Sequence, residues 1–135
     1  MRIRMLVLAA AVALAAAASA EAGRVEIRLV RAHQGSGISR ELRDVEDLLR
    51  AQLRFPGFEL LARQRIALPN DGQTVTFPRG IEVRCEGPAE RLSVIVRRGG
   101  SVLLNVFVNL RGDVPVVLGG FPDGSDRLLL ILRAR

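Results

Sequence analysis

The sequence predicts an α+β domain behind a cleavable export leader: one N-terminal amphipathic helix packed on an antiparallel β-sheet, or on a two-sheet sandwich, of about seven strands. Three observations carry this. The chain opens with basic residues and then a greasy run that ends in small residues. One stretch, Ser39 to Leu53, spaces its apolar residues by three and four. From Phe58 onward apolar residues recur with a period of two.

Arg2 and Arg4 precede an almost wholly apolar run from Met5 to Ala18, and Ala18-Ser19-Ala20 offers the small residues a signal peptidase accepts. The expected cut lies between Ala20 and Glu21, giving a leader over 1–20 and one domain over 21–135. The apolar run is about 14 residues, short of the roughly 20 that a membrane span needs. Glu21 stands where a lipoprotein would carry cysteine. Cleavage removes two arginines and no acid, so the net charge of +6 becomes +4. Every basic residue is arginine, a pattern of arginine-favouring codon usage that gives no single arginine a task. Cys85 is the lone cysteine, so no internal disulfide staples the fold. Its parity with Ile81 and Val83 reads as a buried thiol in preference to an intermolecular bridge.

Val25, Ile27 and Leu29 alternate with Glu26 and Arg28, predicting a first strand of about seven residues with one face buried. Two glycines in His33-Gln34-Gly35-Ser36-Gly37 break it. Ser39 is the expected N-cap of a helix of about four turns, with Leu42, Val45, Leu48, Leu49 and Leu53 inward and Arg40, Glu41, Arg43, Asp44, Asp47 and Arg50 in solvent. Glu46 and Arg50 form an i, i+4 pair. Leu60, Ala62, Gln64, Ile66 and Leu68 share one face of a long strand, and Pro69-Asn70-Asp71-Gly72 predicts a tight turn from which Gln73 to Phe77 pairs back. Ile81, Val83 and Cys85 face in. Leu92, Val94 and Val96 lead through Arg97-Arg98-Gly99-Gly100 into Val102, Leu104, Val106, Val108 and Leu110, a hairpin. Val114 to Leu118 and Arg127 to Leu132 are apolar on both parities, so they are covered on both faces or lie against a partner. Gly119 to Gly124 reads as a long turn between them.

Chemistry-bearing residues are sparse. His33 and Cys85 are the only histidine and thiol and fall in different elements, too few for zinc and unpaired as a nucleophile and base. Asp123-Gly124-Ser125-Asp126 lacks the spaced ligands of a calcium loop. The glycines before the helix could cradle an anion at a helix N-terminus, without a full phosphate-loop pattern. No catalytic, metal or cofactor-binding residue is assigned. The absence of tyrosine and tryptophan excludes an aromatic-studded nucleic-acid surface. Arg63 and Arg65, or Arg97 and Arg98, suit lipid phosphates or acidic glycans, but solvated strand and turn charges are the favoured reading.

The segment Val114-Pro115-Val116-Val117-Leu118-Gly119-Gly120-Phe121, with Leu128 to Leu132, resembles strands of the secretin family of outer-membrane channels. The resemblance spans fewer than 25 residues, omits the repeated modules and membrane hairpins of that family, and implies a Gram-negative envelope setting without adding a functional residue.

The expectation is a periplasmic or secreted, non-enzymatic binding domain that meets an envelope protein through a β-edge, with Leu103, Phe107, Val117, Leu129 and Ile131 as the interaction surface. The alternative is a carrier that holds an apolar or lipid ligand between helix and sheet. An envelope hydrolase would require His33, Asp123 and Asp126 to converge.

Overall fold

Alternation at Val25, Ile27 and Leu29 does build a strand, but a longer and more deeply placed one than the pattern suggests. In the computed structural model, which describes residues 23–135, β1 runs Arg24–His33 and pairs antiparallel on both sides. The predicted leader and its cut at Ala20 and Glu21 lie outside the described residues.

The remaining strands are β2 (Gly37–Ile38), β3 (Gly57–Ala67), β4 (Asn70–Thr76), β5 (Ile81–Gly87), β6 (Leu92–Arg98), β7 (Ser101–Val108), β8 (Val116–Asp123) and β9 (Asp126–Ala134). They form two sheets, one ordered β2-β3-β1-β9-β8 and one ordered β4-β5-β6-β7. The expected α+β class is therefore overturned: the domain is mostly β, with a short helical segment that follows β1 and β2 and is not N-terminal. Residues Arg40–Val45 form a 3-10 turn, and only Glu46–Gln52 form an α-helix, α1.

The helix is short for a physical reason. Val45 leaves helical geometry at φ −120°, ψ 11°. The Glu41 carbonyl, which an α-helix would offer to the N–H of Val45, accepts a hydrogen bond from Arg28 at 2.9 Å. Ser39 makes no side-chain cap; its Oγ accepts from the Leu60 N–H at 3.0 Å, tying the segment to β3 instead.

The first sheet is covered on both faces, which explains its doubly apolar strands. Between the sheets, Val25, Ile27, Leu29, Leu128, Leu130 and Leu132 pack against Ile81, Val83, Cys85, Leu92, Val94 and Val96. On the outer face, Val30, Ala32, Phe58, Leu129 and Ile131 pack under Leu42, Val45 and Leu49. Each such buried side chain contributes about 1.5–3 kcal/mol of transfer free energy. Leu61 is the extra residue of a bulge in β3, so Leu60 turns to the helix side while Ala62 stays between the sheets. The single face expected for Leu60 to Leu68 is split there.

Two further expectations change. The strand after Asn70 does not pair back on β3: β4 pairs with β5, so the chain crosses between sheets at this point. Gly119-Gly120 is a bulge within β8, not part of a long turn, and the strand continues to Asp123 before the tight turn at Gly124.

Glu26 and Arg28, expected in solvent, are 1% and 2% exposed. They sit on the central strand of the first sheet, on the helix side. Arg28 is paid for by a bidentate pair with Asp44 at 2.9 and 3.0 Å. Arg133 also reaches Asp44, at 2.8 Å, and holds Asp113 at 3.1 Å. The hydrogen bonds from Arg28 hold the Asp44 carboxyl below its ordinary value, against an opposing effect of burial. Asp44 is thus exposed, as the periodicity predicts, and is also a clamp between helical segment and sheet.

Candidate functional site

A sheet edge exposes unpaired main-chain groups, and folded proteins blunt their edges with brevity, charge, bulges or proline. Three of the four edges here are blunted. β2 has two residues, and the stretch of β3 beyond its cover is bulged at Leu61 and carries Glu59, Arg63 and Arg65. β8 carries the Gly-Gly bulge and Pro122. β4 is polar along most of its length and bulges at Gly72, where Asn70 Oδ1 accepts from the Gly72 and Gln73 N–H groups at 3.1 and 2.7 Å.

The fourth edge is different. β7, Ser101-Val102-Leu103-Leu104-Asn105-Val106-Phe107-Val108, contains no charged residue, and among the described strands longer than two residues it is alone in this. It is hydrogen-bonded only to β6. Its one bulge, at Leu103, lies near its first end, and the ladder is regular from Leu104 to Val108. That bulge turns Val102 outward opposite Arg97, away from the inward face its parity predicts.

Exposure follows the same division. Among the described residues the exposed large hydrophobics are Val102 (53%), Leu103 (37%), Phe107 (62%) and Val114 (70%), all on β7 or the loop after it. Leu104, Val106 and Val108 point to the core. The Arg91 guanidinium lies 4.4 Å over the Phe107 ring, a cation–π contact that holds the ring in place while leaving most of it in solvent. Arginine marks both ends of the strand, Arg97 and Arg98 before it and Arg111 after it.

The five residues predicted as one interaction surface are therefore divided. Leu103 and Phe107 belong to the exposed edge. Leu129 and Ile131 are 2% and 0% exposed beneath the helical segment, and Val117 packs with them. Parity within a strand cannot tell which of two outer faces the helix covers. Val102 and Val114 were missed; the signal for the edge was the lack of any charge from Ser101 to Leu110.

Cys85 is fully buried between the sheets, and burial pushes its thiol up to about 11. His33 makes no hydrogen bond or ion pair with Asp123 or Asp126 among the described residues. Asp123 instead pairs with Arg98 at 2.9 Å, and Asp126 with Arg31 at 3.6 Å. Among the described residues no group of three His, Cys, Asp or Glu side chains is placed to hold a metal ion. The helix N-terminus imagined as an anion cradle is a 3-10 turn whose glycines lead into β2.

No family model matches the chain, and neither a curated protein nor a solved structure matches it.

Proposed function

We propose that this is an exported, non-enzymatic binding domain of the cell envelope that adds an extended segment of a partner protein to the free edge of β7. The observation that carries the reading is that the one unblunted edge of the two sheets also holds the exposed large apolar side chains. Strand addition of this kind draws affinity from main-chain hydrogen bonds and specificity from alternate side chains. The chemistry of the edge selects the occupant: an extended stretch with apolar residues at alternate positions to meet Val102 and Phe107, and acidic residues near its ends to meet Arg97 and Arg111. Export is inferred from the leader sequence, and the envelope setting accords with the secretin-like strands.

The carrier reading has less behind it. The layer between helix and sheet is filled by Leu42, Val45, Leu49, Phe58 and Ile131, each at most 2% exposed.

The test places a photo-crosslinking side chain at Asn105 in the exporting cell, with Thr74 on the β4 edge as control. The expected result is a crosslink from Asn105 alone to one protein, mapped to an extended segment of the stated pattern. It should be reduced about 100-fold in the double variant Leu103→Asp, Phe107→Asp, as removing two apolar anchors of about 1–2 kcal/mol each requires. Crosslinks to a second copy of this chain, or equal crosslinking from Thr74, would overturn the reading.

A further inference from the structure

The outer face of the first sheet has a second region, where the lining residues come from strands and their ends and not from the helical segment. There Arg24 and Glu26 of β1, Arg63 and Arg65 of β3, and Arg135 after β9 line a polar cavity of about 260 Å³. The register sets Arg63 directly opposite Arg28 and Arg65 opposite Glu26. Like charges facing each other across a sheet are destabilising, by roughly 0.2–1 kcal/mol per pair, so folding alone does not favour this arrangement.

Glu26 organises the cluster without neutralising it. Its Oε2 lies 3.3 Å from Arg65, and its Oε1 lies 3.4 Å from Arg28 Nε and 3.5 Å from Arg135. Arg28 is already committed to Asp44. Against the single charge of Glu26 the cavity thus presents four further guanidiniums, and Arg24 and Arg63 pair with no acid among the described residues. Guanidinium forks match the oxygen spacing of phosphate, and arginine keeps its charge at any ordinary pH.

Glu26 Oε1 is turned inward: it and Arg28 Nε, both buried and without a hydrogen bond, face each other at 3.4 Å as an ion pair. The carboxylate is thus occupied by its own guanidiniums, and the free charge that faces the cavity is that of the arginines.

We infer that this cavity binds a small phosphate ester, the arginines taking the phosphate oxygens. The volume, slightly below the roughly 300 Å³ at which ordinary small-molecule sites begin, suits a group of glycerol phosphate size. That group reaches an envelope protein either as a free solute or as a lipid headgroup. The site is independent of the β7 edge.

Titration calorimetry of the purified protein at low salt uses glycerol 3-phosphate as the soluble probe, and sedimentation uses vesicles of phosphatidylglycerol as the lipid probe. The diagnostic variant is Arg24→Gln, Arg63→Gln, two residues that hold no ion pair; its charge-matched control is Arg97→Gln, Arg111→Gln. The expected result is binding that falls roughly tenfold or more in the first variant, as two lost charge-assisted hydrogen bonds require, and is retained in the control. Calorimetric binding with this pattern identifies a soluble ligand; vesicle binding alone with the same pattern identifies the headgroup. Failure to bind either probe, or equal weakening in both variants, would overturn the proposal.

Discussion

The two edges of the second sheet, β4 and β7, flank the same core and differ in almost every respect that governs association. β4 is polar, kinked at Gly72 and tied locally by Asn70. β7 is uncharged, regular from Leu104 to Val108, and carries Val102, Leu103 and Phe107 in solvent. An edge is thus not sticky or safe by position: residues three or four in number decide it, and the contrast between these two is what makes β7 informative.

The comparison assumes that recognition belongs to the second sheet alone, and the largest expected effect tests that. Arg28→Ala removes the main partner of Asp44 and one of the charges near Glu26, and should lower unfolding free energy by about 3 kcal/mol, as breaking a buried charge network does. Chemical denaturation reads the loss. Capture of the proposed partner by β7, measured well below the lowered melting midpoint, should be unchanged; a parallel fall in capture would mean that the clamp on the first sheet shapes the edge, and the comparison would fail.

A smaller effect sharpens the contrast from the other side. Gly72 has φ +112°, and a Cβ there would meet the Arg84 guanidinium at 2.7 Å. That side chain can move, so the backbone conformation dominates, and Gly72→Ala should cost about 1–2 kcal/mol in thermal or denaturant unfolding. No change in stability would mean that the β4 bulge is not held as described and that the edge can straighten.

The smallest effect concerns Cys85, on the strand between β4 and β6. Its thiol rises from 9.0 to about 11 through burial. Because the folded protein favours the protonated form, this contribution to stability is complete below pH 9 and is lost as pH rises toward 11. Denaturation midpoints followed across that window should decline, and a thiol reagent at pH 8 should label Cys85 only after unfolding. Rapid native labelling would show that the centre of the sheet opens, and with it both edges.

Much of the second sheet was legible in the sequence because it is a meander with one buried face. The alternation at Ile81, Val83 and Cys85, and at Leu92, Val94 and Val96, matches the burial of β5 and β6. The first sheet was harder to read because it is covered twice. Period two marks one buried face, so Glu26 and Arg28 looked solvent-facing, when the helical segment with its Asp44 in fact closes over Arg28, and Arg65 and Arg135 lie against Glu26. Helical spacing at Leu42, Val45 and Leu49 identified the burying stripe but not the break at Val45, which depends on a hydrogen bond from a residue 13 positions away in sequence. At the candidate edge, Leu103 and Phe107 were legible as surplus apolar residues. Val102 was not, since a bulge reverses parity and leaves no mark in composition. The arginine cavity was the least legible: its members are spread from Arg24 to Arg135, and only strand register brings them together.

The pairing of β1 with β9 also constrains the order in which the molecule can form. These neighbours, at the middle of the first sheet, come from opposite ends of the domain, and Arg24 and Arg135 exchange main-chain hydrogen bonds at 2.9 and 2.7 Å. The β4 to β7 meander needs only short-range loop closures, whereas the first sheet must wait for a closure spanning nearly the whole domain, the kind of contact that slows folding. A chain emerging from its N-terminus therefore has no complete first sheet until Asp126–Ala134 has emerged, so half of the domain stays open until almost the last residue is made.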